Sequence, residues 1–115
     1  MDLEFDHIAL TSTNITEDIE FYRSRFSKIG ILYQDDSWAL IEAGGVKIAL
    51  VTPGQHPPHL AFRVKSREYL EKMAKEHNTT VKVHRDRSES FYAADSSGNA
   101  IEVVFYPEKP ETIPV

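Results

Sequence analysis

The chain has 115 residues, 41% of them hydrophobic and 27% charged, with a net charge of −5 and no cysteine. That is one domain's length, with apolar side chains enough for a core. The acidic balance offers no basic footprint for nucleic acid and no attraction to anionic membranes. Without thiols there is neither a disulfide nor a thiolate-held metal, so any metal must sit on N and O ligands.

Leu3–Leu10 reads as a strand. The polar run Thr11–Asn14 follows, and Asn14 or Thr16 would cap a helix whose first turn carries Glu17 and Asp18, where the dipole favours acids. Ile15, Ile19, Tyr22 and Phe26 recur at helical spacing, Phe21 and Ile29 widen the stripe, and Gly30 ends it. Three short strands are expected near 30–34, 37–42 and 46–52, with turns at Asp35–Ser37 and Ala43–Gly45. Pro53–Pro58 is a linker, and then the order repeats. His59–Val64 is a strand; Ser66 caps a helix carrying Tyr69, Leu70, Met73 and His77; strands follow near 80–85, 89–94 and 100–106, with a turn at Asp95–Gly98. The tail beyond Pro107, residues 108–115, reads as extended. No apolar run approaches the roughly 20 residues of a membrane span. The N-terminus Met1–Asp6 lacks the basic and apolar stretches of a secretory leader, so a cytoplasmic location is expected.

The reading is thus a single α+β domain of two βαβββ repeats, about 1–53 and 54–107, paired about a pseudo-twofold axis in one sheet. The repeat carries chemistry. His7 in Asp6-His7-Ile8-Ala9-Leu10 is echoed by His59 in Pro58-His59-Leu60-Ala61-Phe62. Ala49 in Gly45-Val46-Lys47-Ile48-Ala49 is echoed by Glu102 in Gly98-Asn99-Ala100-Ile101-Glu102. Alternation along each strand places His7 with Phe5 and Ala9, His59 with Ala61 and Arg63, and Glu102 with Val104 and Tyr106. The opposite face (Ile8, Leu10, Ile48, Leu50, Leu60, Phe62, Val64, Ile101, Val103, Phe105) is regular and is expected to pack on the helices. The alanines Ala9, Ala49, Ala61 and Ala94 would leave room beside the His and Glu side chains.

A lone His or Glu on a strand is most often a surface group or a satisfied partly buried one. Three of them at repeat-equivalent positions on one face point instead to a metal site or an acid–base set, because a buried carboxylate is costly unless paired or metal-bound. His56 sits in the Pro-rich linker, and His77 at a helix end where a cation suits the dipole. His84 fits either role.

These residues resemble the vicinal oxygen chelate superfamily, which holds glyoxalase I, bleomycin-resistance proteins, fosfomycin-resistance proteins and extradiol dioxygenases. The matching pieces are Asp6–Leu10, Ile19–Tyr22, His59–Val64 and Phe91–Val103, in order along nearly the whole chain. The last piece is the most specific, although Ser96 stands where the family more often has Pro. The resemblance implies two βαβββ modules forming a U-shaped mixed sheet around a cleft, with the helices outside. It implies one divalent metal (Fe, Mn, Zn or Ni) on His7, His59 and Glu102, a small-molecule substrate and a homodimer. Glyoxalase I-like members carry a fourth ligand, usually Glu, where this chain has Ala49. Alanine neither ligates nor takes a proton, which argues against plain glyoxalase I activity and leaves a 2-His-1-carboxylate set that suits non-haem Fe(II).

The expected function is a metal-dependent lyase, transferase or dioxygenase acting on a small oxygenated substrate. Tyr92 is the candidate hydrogen-bond donor or proton handler, since its strand runs into the Glu102 hairpin. Arg63 and Lys47 could hold an anionic group, with a solvated edge charge as the plainer reading, and Trp38 and Tyr106 could supply apolar wall. Extradiol-type ring cleavage is one alternative, with His84 and Tyr92 beside the metal; fosfomycin-type thiol transfer is another, though no Arg follows Glu102. The non-enzyme alternative is metal-free drug binding of the bleomycin-resistance kind.

Overall fold

The computed structural model describes residues 3–107; the tail read as extended lies outside the described residues. The elements run β1 (Glu4–Thr11), α1 (Ile15–Arg25), β2 (Gly30–Gln34), β3 (Trp38–Ala43), β4 (Val46–Val51), β5 (His59–Arg63), α2 (Arg67–Glu76), β6 (Lys82–Val83), β7 (Glu89–Ala94) and β8 (Ala100–Phe105). This is βαβββ twice. The eight strands form one sheet in the order β2-β3-β4-β1-β5-β8-β7-β6. It is mixed: β1 runs parallel to β4, with Ala9 beside Ala49, whereas β2–β3, β3–β4, β6–β7 and β7–β8 are antiparallel.

Two compact units divide the described residues, one formed by Asp6–Leu60 and the other by residues 3–5 and 61–107. In the first, Asn14 caps α1 by accepting the Glu17 amide at 3.0 Å. The helix ends earlier than its apolar spacing suggests. Phe26 turns to extended backbone and Lys28 takes φ 62°, so Phe26 and Ile29 lie beyond the helix. Ile15 and Ile19 pack with Ala39, Ile41 and Leu50 as this unit's core, while Phe21 points to solvent. The β3–β4 hairpin closes through Gly44 and Gly45, both at positive φ (60° and 81°), as a two-residue hairpin turn with the right-handed twist requires.

In the second unit Ser66 caps α2 by accepting the Tyr69 amide, and Asn78 at φ 58° ends it. Leu70 and Ala74 pack with Val64, Phe91 and Val103. Strand β6 is only Lys82–Val83, paired to Ser90 and Glu89; the chain turns at once, with the His84 amide donating to the Ser88 carbonyl.

The helix-side face is covered only in part. Ile48, Leu50, Val103 and Phe105 belong to the helix-packed cores as expected. Leu10 and Leu60 on β1 and β5 are exposed (37% and 42%), because each helix buries its residues in the core of its own unit and neither core includes these two. The alanines differ too. Ala9 and Ala49 are buried against Val51, with Trp38 and Leu40 packed on them, so in this structure they are filled positions.

Candidate metal centre

His7 lies in the middle of β1, half-buried, and its Nδ1 is 2.7 Å from Oδ2 of Asp6. His59 opens β5, only 8% exposed, and its Nδ1 is 2.7 Å from the Pro57 carbonyl oxygen. A carbonyl oxygen only accepts, so His59 Nδ1 carries the proton and donates. In the neutral ring Nε2 is then the unprotonated nitrogen. The Asp6 carboxylate sets His7 the same way. Both imidazoles therefore present Nε2 as a ligand atom, oriented by an acceptor behind the ring, as in metal-bound histidines. The two rings lie edge to face, with centroids 5.6 Å apart.

Glu102 is buried on β8, only 6% exposed. Tyr92 is its cross-strand partner on β7. Burial first, then the adjacent Glu102 charge and the hydrogen bond to it, push the Tyr92 phenol well above its ordinary range. Tyr92 is thus a protonated donor to Glu102 rather than a base. On the other side His84 places Nε2 3.8 Å from Glu102 Oε2, and the same nitrogen is 2.6 Å from Ser90 Oγ.

His7, His59 and Glu102 each offer one ligand atom, and these atoms all lie within 4.8 Å of one another. The donor set fits a divalent ion: two neutral imidazoles and one carboxylate, with Asp6 and the Pro57 carbonyl as the outer shell. Held there, an ion would act as a Lewis acid and stabilise negative charge on a bound oxygen.

The other candidates lie as follows. Arg63 donates from Nη1 to the Phe5 carbonyl at 3.0 Å and pairs with Glu4 (3.0 Å), which also draws Lys65 (3.7 Å). Lys47 is exposed on β4 opposite Glu42. Trp38 stacks on Tyr33 at 4.7 Å and covers the Ala9–Ala49 cluster. Tyr106 is half-buried just past β8. Sequence reasoning missed Asp6 and Pro57 as the groups that orient the histidines. Neighbours on an ideal strand point to opposite faces, so Asp6 gave no signal as a partner of His7, and a main-chain carbonyl leaves none.

No protein-family model matches the chain, and no curated protein matches it. Solved structures do share its fold. A hypothetical protein from Bacillus halodurans C-125 superposes with a TM-score of 0.73 at 22% identity, over 97% of this chain and 100% of that one. A glyoxalase/bleomycin resistance protein/dioxygenase superfamily member from Vibrio splendidus 12B01 gives 0.68 at 14%, over 91% and 100%. The 2,3-dioxygenase LapB from Pseudomonas sp. KL28 gives 0.62 at 20%, over 96% of this chain but 46% of that one, so the chain spans about half its length. The chain thus has the fold of glyoxalase and dioxygenase superfamily structures, which is the fold its sequence motifs imply.

Proposed function

We propose that the chain binds one divalent metal through His7, His59 and Glu102 and uses it to hold two neighbouring oxygens of a small substrate. The observation that carries this reading is the pair of oriented imidazoles. Each Nδ1 is tied to an acceptor at 2.7 Å, which makes Nε2 the unprotonated, lone-pair-bearing nitrogen of each neutral ring and suits the pair to a carboxylate-completed set. Three protein ligands leave coordination positions open for substrate. The metal would act as Lewis acid and template, stabilising negative charge that develops on a bound oxygen. Ala49, packed among apolar side chains, offers no proton acceptor, so the reading is a lyase or dioxygenase rather than a glyoxalase I-type isomerisation. Among these, ring cleavage of the extradiol type is favoured by one feature: His84 and Tyr92 both meet Glu102, so both would lie near an ion that Glu102 held.

Thermal melting with Fe(II), Mn(II), Ni(II) and Zn(II) tests the metal. An ion present at 100 times its dissociation constant should stabilise the chain by about 2.7 kcal/mol. His59→Ala should lose the shift. If none of the four ions moves the melting temperature of the unaltered chain, the proposal fails.

A further inference from the structure

The two edges of the sheet are finished differently. Strands β2 and β6 are the outermost of the eight, so each leaves one side of its backbone without a neighbouring strand. Strand β6 is blunted: it is two residues long, carries Lys82 and turns away at once. Strand β2 runs five residues, Gly30–Gln34, with no charge and no proline among them. Its Ile31, Leu32 and Tyr33 are 40%, 49% and 43% exposed. A bulge between Ile31 and Tyr33 spreads these side chains over both faces. Ile31 stands opposite Ile41, which belongs to the helix-packed core, whereas Tyr33 stands opposite Leu40, which packs on the other side over Ala9 and Ala49. Phe21 and Phe26, exposed with rings 6.5 Å apart, add apolar surface where α1 leads into β2.

Apolar groups on both faces of an open edge suit an added strand. A strand carries side chains on both faces and supplies main-chain partners between them, whereas a helix laid on the sheet covers one face only. The charges flanking β2 select which strand. Lys28 is exposed two residues before it, and Asp36 is exposed two residues after it. The neighbouring Asp35 is taken up by the turn, where it accepts from the Ser37 and Trp38 amides and from the Tyr33 hydroxyl. We propose that β2 pairs antiparallel with β2 of a second copy about a twofold axis near Leu32. Lys28 of each copy then meets Asp36 of the other, so one closed dimer holds the contact twice. Parallel pairing would instead set Lys28 beside Lys28 and Asp36 beside Asp36, which like-charge repulsion disfavours. The dimer does not depend on the metal: every residue it uses lies in the Asp6–Leu60 unit, and none is a proposed ligand.

Sedimentation equilibrium of the full chain without added metal tests it. A dissociation constant in the micromolar range makes the parent dimeric at about 100 µM. Leu32→Lys, at an exposed position, brings two like charges together at the axis and should weaken the dimer by at least about tenfold. Lys28→Asp and Asp36→Lys each turn two attractive contacts into repulsive ones, and each should weaken it by about tenfold. The double exchange of both residues should restore most of the parent's affinity. Circular dichroism matching the parent confirms that the variants are folded. A parent that is monomeric at that concentration, a dimer that Leu32→Lys leaves intact, or a double exchange that associates no more tightly than either single one overturns the proposal.

Discussion

Asp6 stands behind one of the three proposed ligands. Its carboxylate accepts from His7 Nδ1, and it is not itself one of the three proposed ligands. Asp6→Ala leaves all three ligands in place but removes the acceptor that fixes the His7 ring. Metal affinity should fall by about 10- to 100-fold, read by competition titration against a chelator. Unchanged affinity would mean that His7 is oriented by something else. His7, His59 and Glu102 were legible in the sequence because the repeat marks them and strand alternation puts them on one face. Asp6 was not, because it adjoins His7 on the strand, where alternation assigns neighbours to opposite faces.

Elements were most legible where local chemistry decides them. Asn14 and Ser66 cap their helices as their side chains suggest, and β7 spans the 89–94 segment read as a strand before the Asp95–Gly98 turn. Misreadings came where the chain turns without a strong signal. Phe26 continues the helical apolar spacing but sits in extended backbone, and the 80–85 segment forms only a two-residue strand before the turn closed by Ser88. Two tests belong here. Leu70 on α2 is fully buried, so Leu70→Ala should destabilise by about 2–5 kcal/mol in denaturant melts. A loss under 1 kcal/mol would contradict that packing. Asp35 accepts from the Ser37 and Trp38 amides and from Tyr33, whose hydroxyl contributes most to holding its carboxyl at about 2, below the ordinary 3.8. A depressed folded-state pKa contributes stability that is present above the ordinary value and lost as pH falls through the folded one. The melting-temperature difference between the parent chain and Asp35→Ala should therefore shrink from pH 4 to pH 2. A difference that stays constant over that range would refute the role assigned to the turn.

The whole molecule repeats one plan, and that plan was the most readable feature of all. Each repeat supplies a strand, a capped helix and three more strands, and all eight strands enter one mixed sheet. Less legible was how much of the sheet the helices cover. Apolar alternation runs through Leu10 and Leu60 as regularly as through Leu50 and Val103, yet only the latter two sit in helix-packed cores. Periodicity reports which face a side chain takes; it does not report how far an 11-residue or 10-residue helix reaches across that face. Likewise the alanines were read as space, whereas Trp38 and Leu40, contributed by β3, fill over Ala9 and Ala49. The shared fold with glyoxalase and dioxygenase superfamily structures agrees with the repeat, and the proposed chemistry rests on His7, His59 and Glu102 as ligands.

Counting bound metal after equilibrium dialysis tests that chemistry most directly. The chain is dialysed against each of Fe(II), Mn(II), Ni(II) and Zn(II), beside His7→Ala, His59→Ala and Glu102→Ala variants whose circular dichroism matches the parent. The account predicts one ion retained per parent chain for at least one metal, and none in any of the three variants. A parent chain that retains no ion, or variants that retain as much as the parent, would contradict it.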